Sequence, residues 1–481
     1  MTSFSSATLW STVNAAAGVL LPTLVFAFFA HIVPVSEVGV VAVGLAWIEM
    51  IKVLSPQGFY EQLISHNSDQ KTHESVLAVL LATATISYFA YVGVIWISGL
   101  WRHGGQTLLL ALCLLGLRLV SDIIVLQPQA LLVQELRLRR IAMRVVWANL
   151  GSGVIGLVLA RFNPLIGFVS YYISQSALTL IMTVLGSGRI TFPRLRVELL
   201  RPLMRNAGYA SGVRLVAAMN NYFDQILLST LVPITILARY NLAKRVETTL
   251  ITGSSAFQGV LYQPLFARTP LGGRDALLRQ CIRTLNVLFG MPVILFIINN
   301  GLLVKTVFGR QWAPAATLAA IMAASGLARA YGSIHGALLS VSQRNLRQLV
   351  VTLTSGAAGV GIVLALNSFG LIAVALGLLA RNLVVSLWFA LMTREDMPHT
   401  LRRYCTECVG PLLVIGGLGW AGGLASRLII GADSPFAPWA ALLTSTLIIA
   451  VTGALEFRNE LSAVLKRGLP GRRRVAEAMV S

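Results

Sequence analysis

The sequence predicts an all-α integral membrane protein of about fourteen transmembrane helices, arranged as two pseudo-symmetric six-helix lobes followed by two further helices. Three observations predict it. Apolar runs of about 20 residues, the length that crosses a bilayer, recur along nearly the whole chain. Arginines and lysines gather in every second gap between those runs. The chain also resembles itself at an offset of about 200 residues, six spans apart.

Composition agrees. Of the residues, 56% are hydrophobic and 12% charged, against about a quarter charged in a soluble domain. The net charge of +20 would fit nucleic acid were it clustered on a soluble face. Here the cations sit in short loops between apolar runs, so nucleic acid is excluded and anionic lipid headgroups are the expected contact.

In chain order, the expected spans cover residues 9–33, 37–54, 75–98, 106–126, 143–160, 165–186 and 207–231. The remaining seven cover 236–260, 281–303, 314–336, 348–366, 370–392, 408–430 and 436–456. No Lys or Arg precedes the first run, and it is long enough to span, so it reads as a helix rather than a cleaved leader. Gaps without basic clusters are short turns, such as Val33-Pro34-Val35-Ser36 and Arg161-Phe162-Asn163-Pro164. The others hold Arg137, Arg139, Arg140 and Arg144; Arg189 to Arg205; Arg268 to Arg283; Arg344 and Arg347; Arg394 to Arg403; and the tail from Arg458 to Arg474. Lys and Arg are retained in cytoplasmic loops, so the basic loops and both termini are expected to face the cytoplasm of a bacterial inner membrane.

Three pairs of segments carry the self-resemblance. Pro34-Val35-Ser36-Glu37-Val38-Gly39 matches Pro233-Ile234-Thr235-Ile236-Leu237-Ala238, Ala130-Leu131-Leu132 matches Ala337-Leu338-Leu339, and Gly156-Leu157-Val158-Leu159-Ala160 matches Gly361-Ile362-Val363-Leu364-Ala365. The expected division is an N-terminal lobe over 1–200, a C-terminal lobe over 201–395, and two helices with a basic tail over 396–481. A repeat of even span number keeps its orientation, as in alternating-access carriers.

Polar residues inside the spans are the candidate site. An ionisable side chain near the bilayer centre costs about 2.5–3.5 kcal/mol on insertion scales, so such residues face a bundle interior or water. The seventh span carries Arg214, Asn220, Asn221, Asp224 and Gln225 on roughly 140° of its circumference. The eighth carries Asn241, Lys244, Arg245, Glu247 and Thr248; the second carries Glu49 and Lys52, with Glu49 near the repeat equivalent of Glu247. Two readings stand side by side. Arg214, Asn220, Asn221, Asp224, Lys244, Arg245, Glu247 and Glu49 line a wet cavity, or Lys244–Glu247 and Glu49–Lys52 neutralise each other three residues apart on one helix. Arg118 and Asp122, four apart, fit local pairing; Arg329 and Arg381 fit packing between helices.

These features lead to a family. The turn with Pro34, Ser36, Glu37 and Gly39; Gln127-Pro128-Gln129-Ala130-Leu131-Leu132 running on through Arg137 to Arg140; Asn206-Ala207-Gly208-Tyr209-Ala210-Ser211-Gly212 before Asp224-Gln225-Ile226-Leu227-Leu228; and Ala238-Arg239-Tyr240-Asn241-Leu242-Ala243-Lys244-Arg245 resemble the polysaccharide-export branch of the MOP superfamily, the Wzx-type flippases. The likeness runs through nearly the whole chain. It implies a MATE-like fold with two lobes around a cavity lined by the first two helices of each. It further implies an undecaprenyl-diphosphate-linked oligosaccharide as cargo, carried from cytoplasmic to periplasmic leaflet for exopolysaccharide or O-antigen synthesis. Polysaccharide polymerase and chain-length or export proteins are then the expected protein partners.

Competing chemistries leave their own marks. No G-x-x-x-x-G-K-[ST] occurs, which argues against ATP hydrolysis. No Asp-x-Asp and no sizeable outer loop support a polymerase or glycosyltransferase, and a multidrug cation extruder of the same superfamily would favour acidic pockets. Cys405 and Cys408, with His399 nearby, lack the second ligand pair of a zinc site, so neither metal nor cofactor is expected. With the diphosphate implied by the resemblance, Arg214, Lys244 or Arg245 would hold it, and Asn220, Asn221 and Asp224 would contact sugar.

Overall fold

The computed structural model describes residues 4–54, 59, 60, 63, 70–99, 105–135, 137–188, 191–257, 266, 273–342, 344–394, 406, 409–431 and 434–458. Among them there is no strand. The helices α1 (Phe4–Ile32), α2 (Val35–Leu54), α3 (Gln70–Ser98), α4 (Gly105–Leu115), α5 (Leu117–Ile124) and α6 (Leu126–Gln134) come first. They are followed by α7 (Leu138–Ala160), α8 (Pro164–Ser187), α9 (Val197–Leu231) and α10 (Ile234–Phe257). The rest are α11 (Arg274–Leu285), α12 (Met291–Ile298), α13 (Asn300–Phe308), α14 (Ala316–Val341), α15 (Asn345–Leu366), α16 (Leu371–Met392), α17 (Gly410–Ile430) and α18 (Ala437–Glu456).

Ten helical stretches among the described residues are long and apolar enough to cross a membrane, and the protein is a multi-pass membrane protein. The other expected spans coincide with α1, whose apolar stretch is Ala17–Ile32, and with α2, α9 and α10, each of which carries several charged residues. Large apolar side chains stay exposed along the rods, among them Ile97, Leu185, Leu413, Ile429 and Leu443, as expected of surfaces that meet lipid tails.

Breaks in the rods have local causes. Between α5 and α6 the chain turns at Val125, and Pro128 lacks the N–H that would bond the carbonyl of Ile124. A wider turn over Asn286–Gly290 joins α11 to α12 just ahead of Pro292, whose ring cannot sit against a regular preceding turn. The α7–α8 connection is sharp because Asn163 caps α8, its side chain accepting from the Ile166 amide at 3.1 Å, with Pro164 in the first turn.

The chain forms two compact units, residues 9–241 and residues 242–481 with 1–8. In the first unit, α7 and α8 approach closely through glycine. A Cβ on Gly167 would lie 2.5 Å from Ala160 backbone atoms, and one on Gly156 would lie 2.9 Å from the Gly167 carbonyl. Beside this seam Phe29, Phe168, Tyr171 and Tyr172 stack, with ring centroids 4.9 to 6.0 Å apart. At the far end, Arg137 and Arg140 donate to the Gly186 carbonyl at 3.2 and 2.5 Å, capping the last turn of α8. Gly39 of α2 meets the start of α10, where a Cβ would lie 2.8 Å from the Ile234 carbonyl.

The second unit has its buried apolar centre at Leu278, Cys281 and Ile282 of α11, Tyr331, Ile334 and Leu338 of α14, and Leu412 of α17. Within the α17–α18 hairpin Gly419 meets Ile449, and the hairpin packs on α12 at Ile298, just before Asn299, which donates to Ser445 at 2.9 Å.

Replacing Gly167 by Leu should overpack the α7–α8 seam and cost about 1–3 kcal/mol. Thermal midpoints in detergent should fall for this variant and hold for Gly93→Leu, where an added Cβ meets nothing within 4 Å.

Candidate functional site

The polar stripe of α9 and the start of α10 lie in the first unit. Asn220, Asn221, Asp224 and Gln225 are all half-buried. Tyr240 of α10 donates its hydroxyl to Asp224 Oδ2 at 2.5 Å, and Asp224 Oδ1 accepts from the Gln225 amide at 2.9 Å. The carboxylate therefore ties α9 to α10. Tyr240 does not stand out in the sequence; its only signal is its place beside Asn241 on a polar helix. Asn241 itself is 7% exposed, and neither its Oδ1 nor its Nδ2 has a partner among the described residues. Arg214 lies in the helical backbone of α9, but its side chain is outside the described residues.

A second group in the same unit joins α2, α5 and α8. Lys52 Nζ lies 2.5 Å from Glu49 Oε2 and 3.6 Å from Asp122 Oδ2. Arg118 reaches Glu49 Oε1 at 3.6 Å through Nη2 and Asp122 Oδ2 at 3.4 Å through Nε. Ser176 of α8 donates to Asp122 Oδ1, and the Arg118 guanidinium lies over the Tyr172 ring, 5.4 Å from its centroid. Both local pairs expected from the sequence form, and they merge into one quartet of two cations and two carboxylates. Each of the four side chains is about a fifth exposed.

In the second unit, Lys244 and Glu247 of α10 pair at 2.9 Å and are 2% and 1% exposed. Glu247 Oε1 also accepts from Ser325 of α14 at 2.9 Å and from Asn382 of α16 at 3.4 Å, and lies 3.7 Å from Arg329 Nη1. Asn382 donates to Ser325 at 2.7 Å, closing the ring. Arg381 donates to Asn382 Oδ1 at 2.9 Å and crowds Gly359 of α15. Arg329 thus braces α14 to α10, and Arg381 binds α16 to α15. Arg245, next to the buried Lys244, is half-buried.

Another buried cation has neutral hydrogen-bond partners among the described residues. Arg144 is 8% exposed and donates to Thr183 at 2.6 Å and to Gln129 at 3.0 Å, tying α6, α7 and α8 together. Among the described residues no group of three His, Cys, Asp or Glu could hold a metal. His399, Cys405 and Cys408 lie outside the described residues; Cys113 is half-buried and Cys281 buried, both as thiols.

Comparison with known proteins places this geometry. A family model described as "Polysaccharide biosynthesis protein" matches residues 28–317. Among solved structures, the lipid II flippase MurJ in its inward closed conformation is 14% identical and superposes with a TM-score of 0.67, over 95% of this chain and 99% of that one. An outward-facing multidrug-resistance MATE transporter of the MOP superfamily is 14% identical, with a TM-score of 0.57 over 83% of this chain and 97% of that one. A Pyrococcus furiosus MOP transporter, described as having a binding pocket of reversed polarity, is 13% identical, with a TM-score of 0.50 over 82% and 96%. No curated protein matches in sequence.

Burial separates the two charge networks energetically. Glu247→Ala removes the carboxylate paired with the buried Lys244 and should cost about 3–5 kcal/mol. Glu49→Ala, in the more accessible quartet, should cost distinctly less. Thermal midpoints of the two purified variants should differ in that order; equal losses would mean that burial does not decide the cost.

Proposed function

Because the chain belongs to the polysaccharide biosynthesis protein family, we propose that it flips undecaprenyl-diphosphate-linked oligosaccharide repeat units across the bacterial inner membrane by alternating access. The units move from the cytoplasmic to the periplasmic leaflet and feed exopolysaccharide or O-antigen synthesis. The observation that carries this reading is a polar stripe on one long helix, the half-buried Asn220, Asn221 and Asp224, within the fold shared by the MurJ flippase and MATE transporters.

The physics requires such a surface. A hydroxyl moved from water into hydrocarbon without a partner costs at least about 2 kcal/mol, so a bare oligosaccharide faces a barrier of tens of kcal/mol. Amides and a carboxylate replace water at each hydroxyl, while the polyprenyl chain stays in lipid. The unpartnered carboxamide of Asn241 adds one donor pair and one acceptor of the same kind. For the diphosphate, Arg214, Lys244 and Arg245 are the proposed cations. Lys244 is committed to Glu247, which gives Arg245 and Arg214 the larger part. In this reading the lobes are 1–200 and 201–395 with 396–481 appended, as the repeat divides them. The basic loops and both termini face the cytoplasm, and polymerase and export proteins receive the product.

The family and the charge balance favour this reading over drug extrusion. The quartet holds as many cations as carboxylates, and in the second network Lys244 and Arg329 both face Glu247. A pocket for cationic drugs would carry an excess of carboxylates.

Depleting the protein should trap lipid-linked repeat units on the inner leaflet, read by their inaccessibility to a periplasmic ligase or label. With protein level held constant, Arg214→Gln and Arg245→Gln should each lower polymer output several-fold. Undiminished export in these variants and in Lys244→Gln would refute the assignment of the diphosphate to these cations.

A further inference from the structure

The segment that joins the sixth span to the seventh, and so one repeat to the other, leaves helix between α8 and α9. Gly188 closes α8 in the left-handed region, at φ 66° and ψ 9°, a conformation that favours glycine. Pro193 then fixes its own φ and pushes Phe192 into extended backbone, and Arg196 is extended as well, at φ −128° and ψ 96°. Two hydrogen bonds hold this strip against neighbouring helices. Thr191 donates its hydroxyl to Gln127 Oε1 at 3.3 Å, and the Arg194 amide donates to the Glu74 carbonyl at 3.3 Å. Glu74 lies one turn into α3, which begins at Gln70, and the strip follows α8, which ends at Ser187. Both helices are long and apolar enough to cross a membrane, so the strip runs where hydrocarbon gives way to headgroups.

The chemistry this strip presents is mixed. Phe192, Leu195 and Val197 are 70%, 63% and 64% exposed, and the exposed Leu185 in the last turn of α8 continues the lipid-facing apolar surface toward them. Arg194 is exposed and Arg196 half-buried among them, and neither guanidinium has a carboxylate or hydrogen-bond partner among the described residues. Such a strip suits neither bulk water nor the hydrocarbon core. Water leaves Phe192 and Leu195 unburied, and hydrocarbon leaves the arginines unsolvated. At the boundary both needs are met, with apolar side chains against acyl chains and guanidiniums against lipid phosphates. We propose that residues 191–197 are an interfacial anchor that binds anionic phospholipid in the leaflet on the side of the basic loops. The apolar side chains give adhesion to any lipid. Arg194 and Arg196 give preference for a net negative headgroup over a zwitterionic one. Because the same strip links the two repeats, membrane charge acts on the carrier at that link. The inference does not depend on which cargo is carried.

The test uses the full chain in nanodiscs of equal parts zwitterionic and anionic phospholipid, with a photo-crosslinking phenylalanine analogue in place of Phe192. Mass spectrometry of the adducts identifies what lies against that position. Lipid adducts should dominate, with the anionic lipid enriched at least about fivefold, the factor expected for one cation at a membrane surface. The double variant Arg194→Gln/Arg196→Gln, which removes no pairing from the fold, should keep the lipid adducts and lose the enrichment. The analogue in place of Phe369 serves as the control. Phe369 is also exposed, in the turn over Asn367–Phe369, and no Lys or Arg lies between Arg347 and Arg381, so both lipids should be labelled equally there. Protein adducts or none at position 192, equal labelling of the two lipids there, or enrichment that survives the double variant would overturn the proposal. So would the same enrichment at the control position.

Discussion

The rest of the structure depends on one constraint: a carboxylate placed at membrane depth has to be neutralised where it sits. Moving an ion from water into a medium of low dielectric constant costs several kcal/mol even after relaxation, and a bilayer supplies no solvent to soften that. The chain answers twice with the same device. A lysine three residues along the same helix supplies the first cation, and an arginine from the second helix onward supplies the other. The pairing therefore does more than cancel charge, since it ties α2 to α5 and α10 to α14. Helices that carry charge are thereby held within bundles whose outer surfaces are apolar.

From that constraint the division of labour follows. Where the network is dry and fully supported, as at Glu247, it acts as a brace. Where it is more accessible, as at Glu49, it joins three helices of the first unit through two cations and two carboxylates. Asn220, Asn221 and Asp224 add neutral and acceptor chemistry suited to hydroxyls, with Tyr240 fixing the carboxylate.

Much of the fold was legible in the sequence because its signals are local. Apolar runs and Arg-rich gaps mark where helices begin and end, and Asn163-Pro164 encodes its own cap and turn. Glu49–Lys52 and Lys244–Glu247 were readable for the same reason: three residues on a helix bring side chains together whatever the tertiary structure. What was not legible required distant segments to meet. Nothing near Arg118 in sequence reveals Glu49 on another helix, and nothing near Glu247 reveals Ser325, Arg329 and Asn382. The merger of two pairs into a quartet, and the unequal burial of its two copies, are properties of packing alone. The fourth expected span, 106–126, also proved longer and segmented, running from Gly105 to Gln134 with turns at Gly116 and Val125.

The most direct measurement is leaflet transfer by the purified chain in proteoliposomes, using a polyprenyl-diphosphate oligosaccharide whose sugar is accessible to an enzyme on one side only. Protein-dependent transfer well above the rate in protein-free vesicles, with no transport of cationic dyes, is the result expected. Transfer at the protein-free rate, or dye transport in its place, would contradict it.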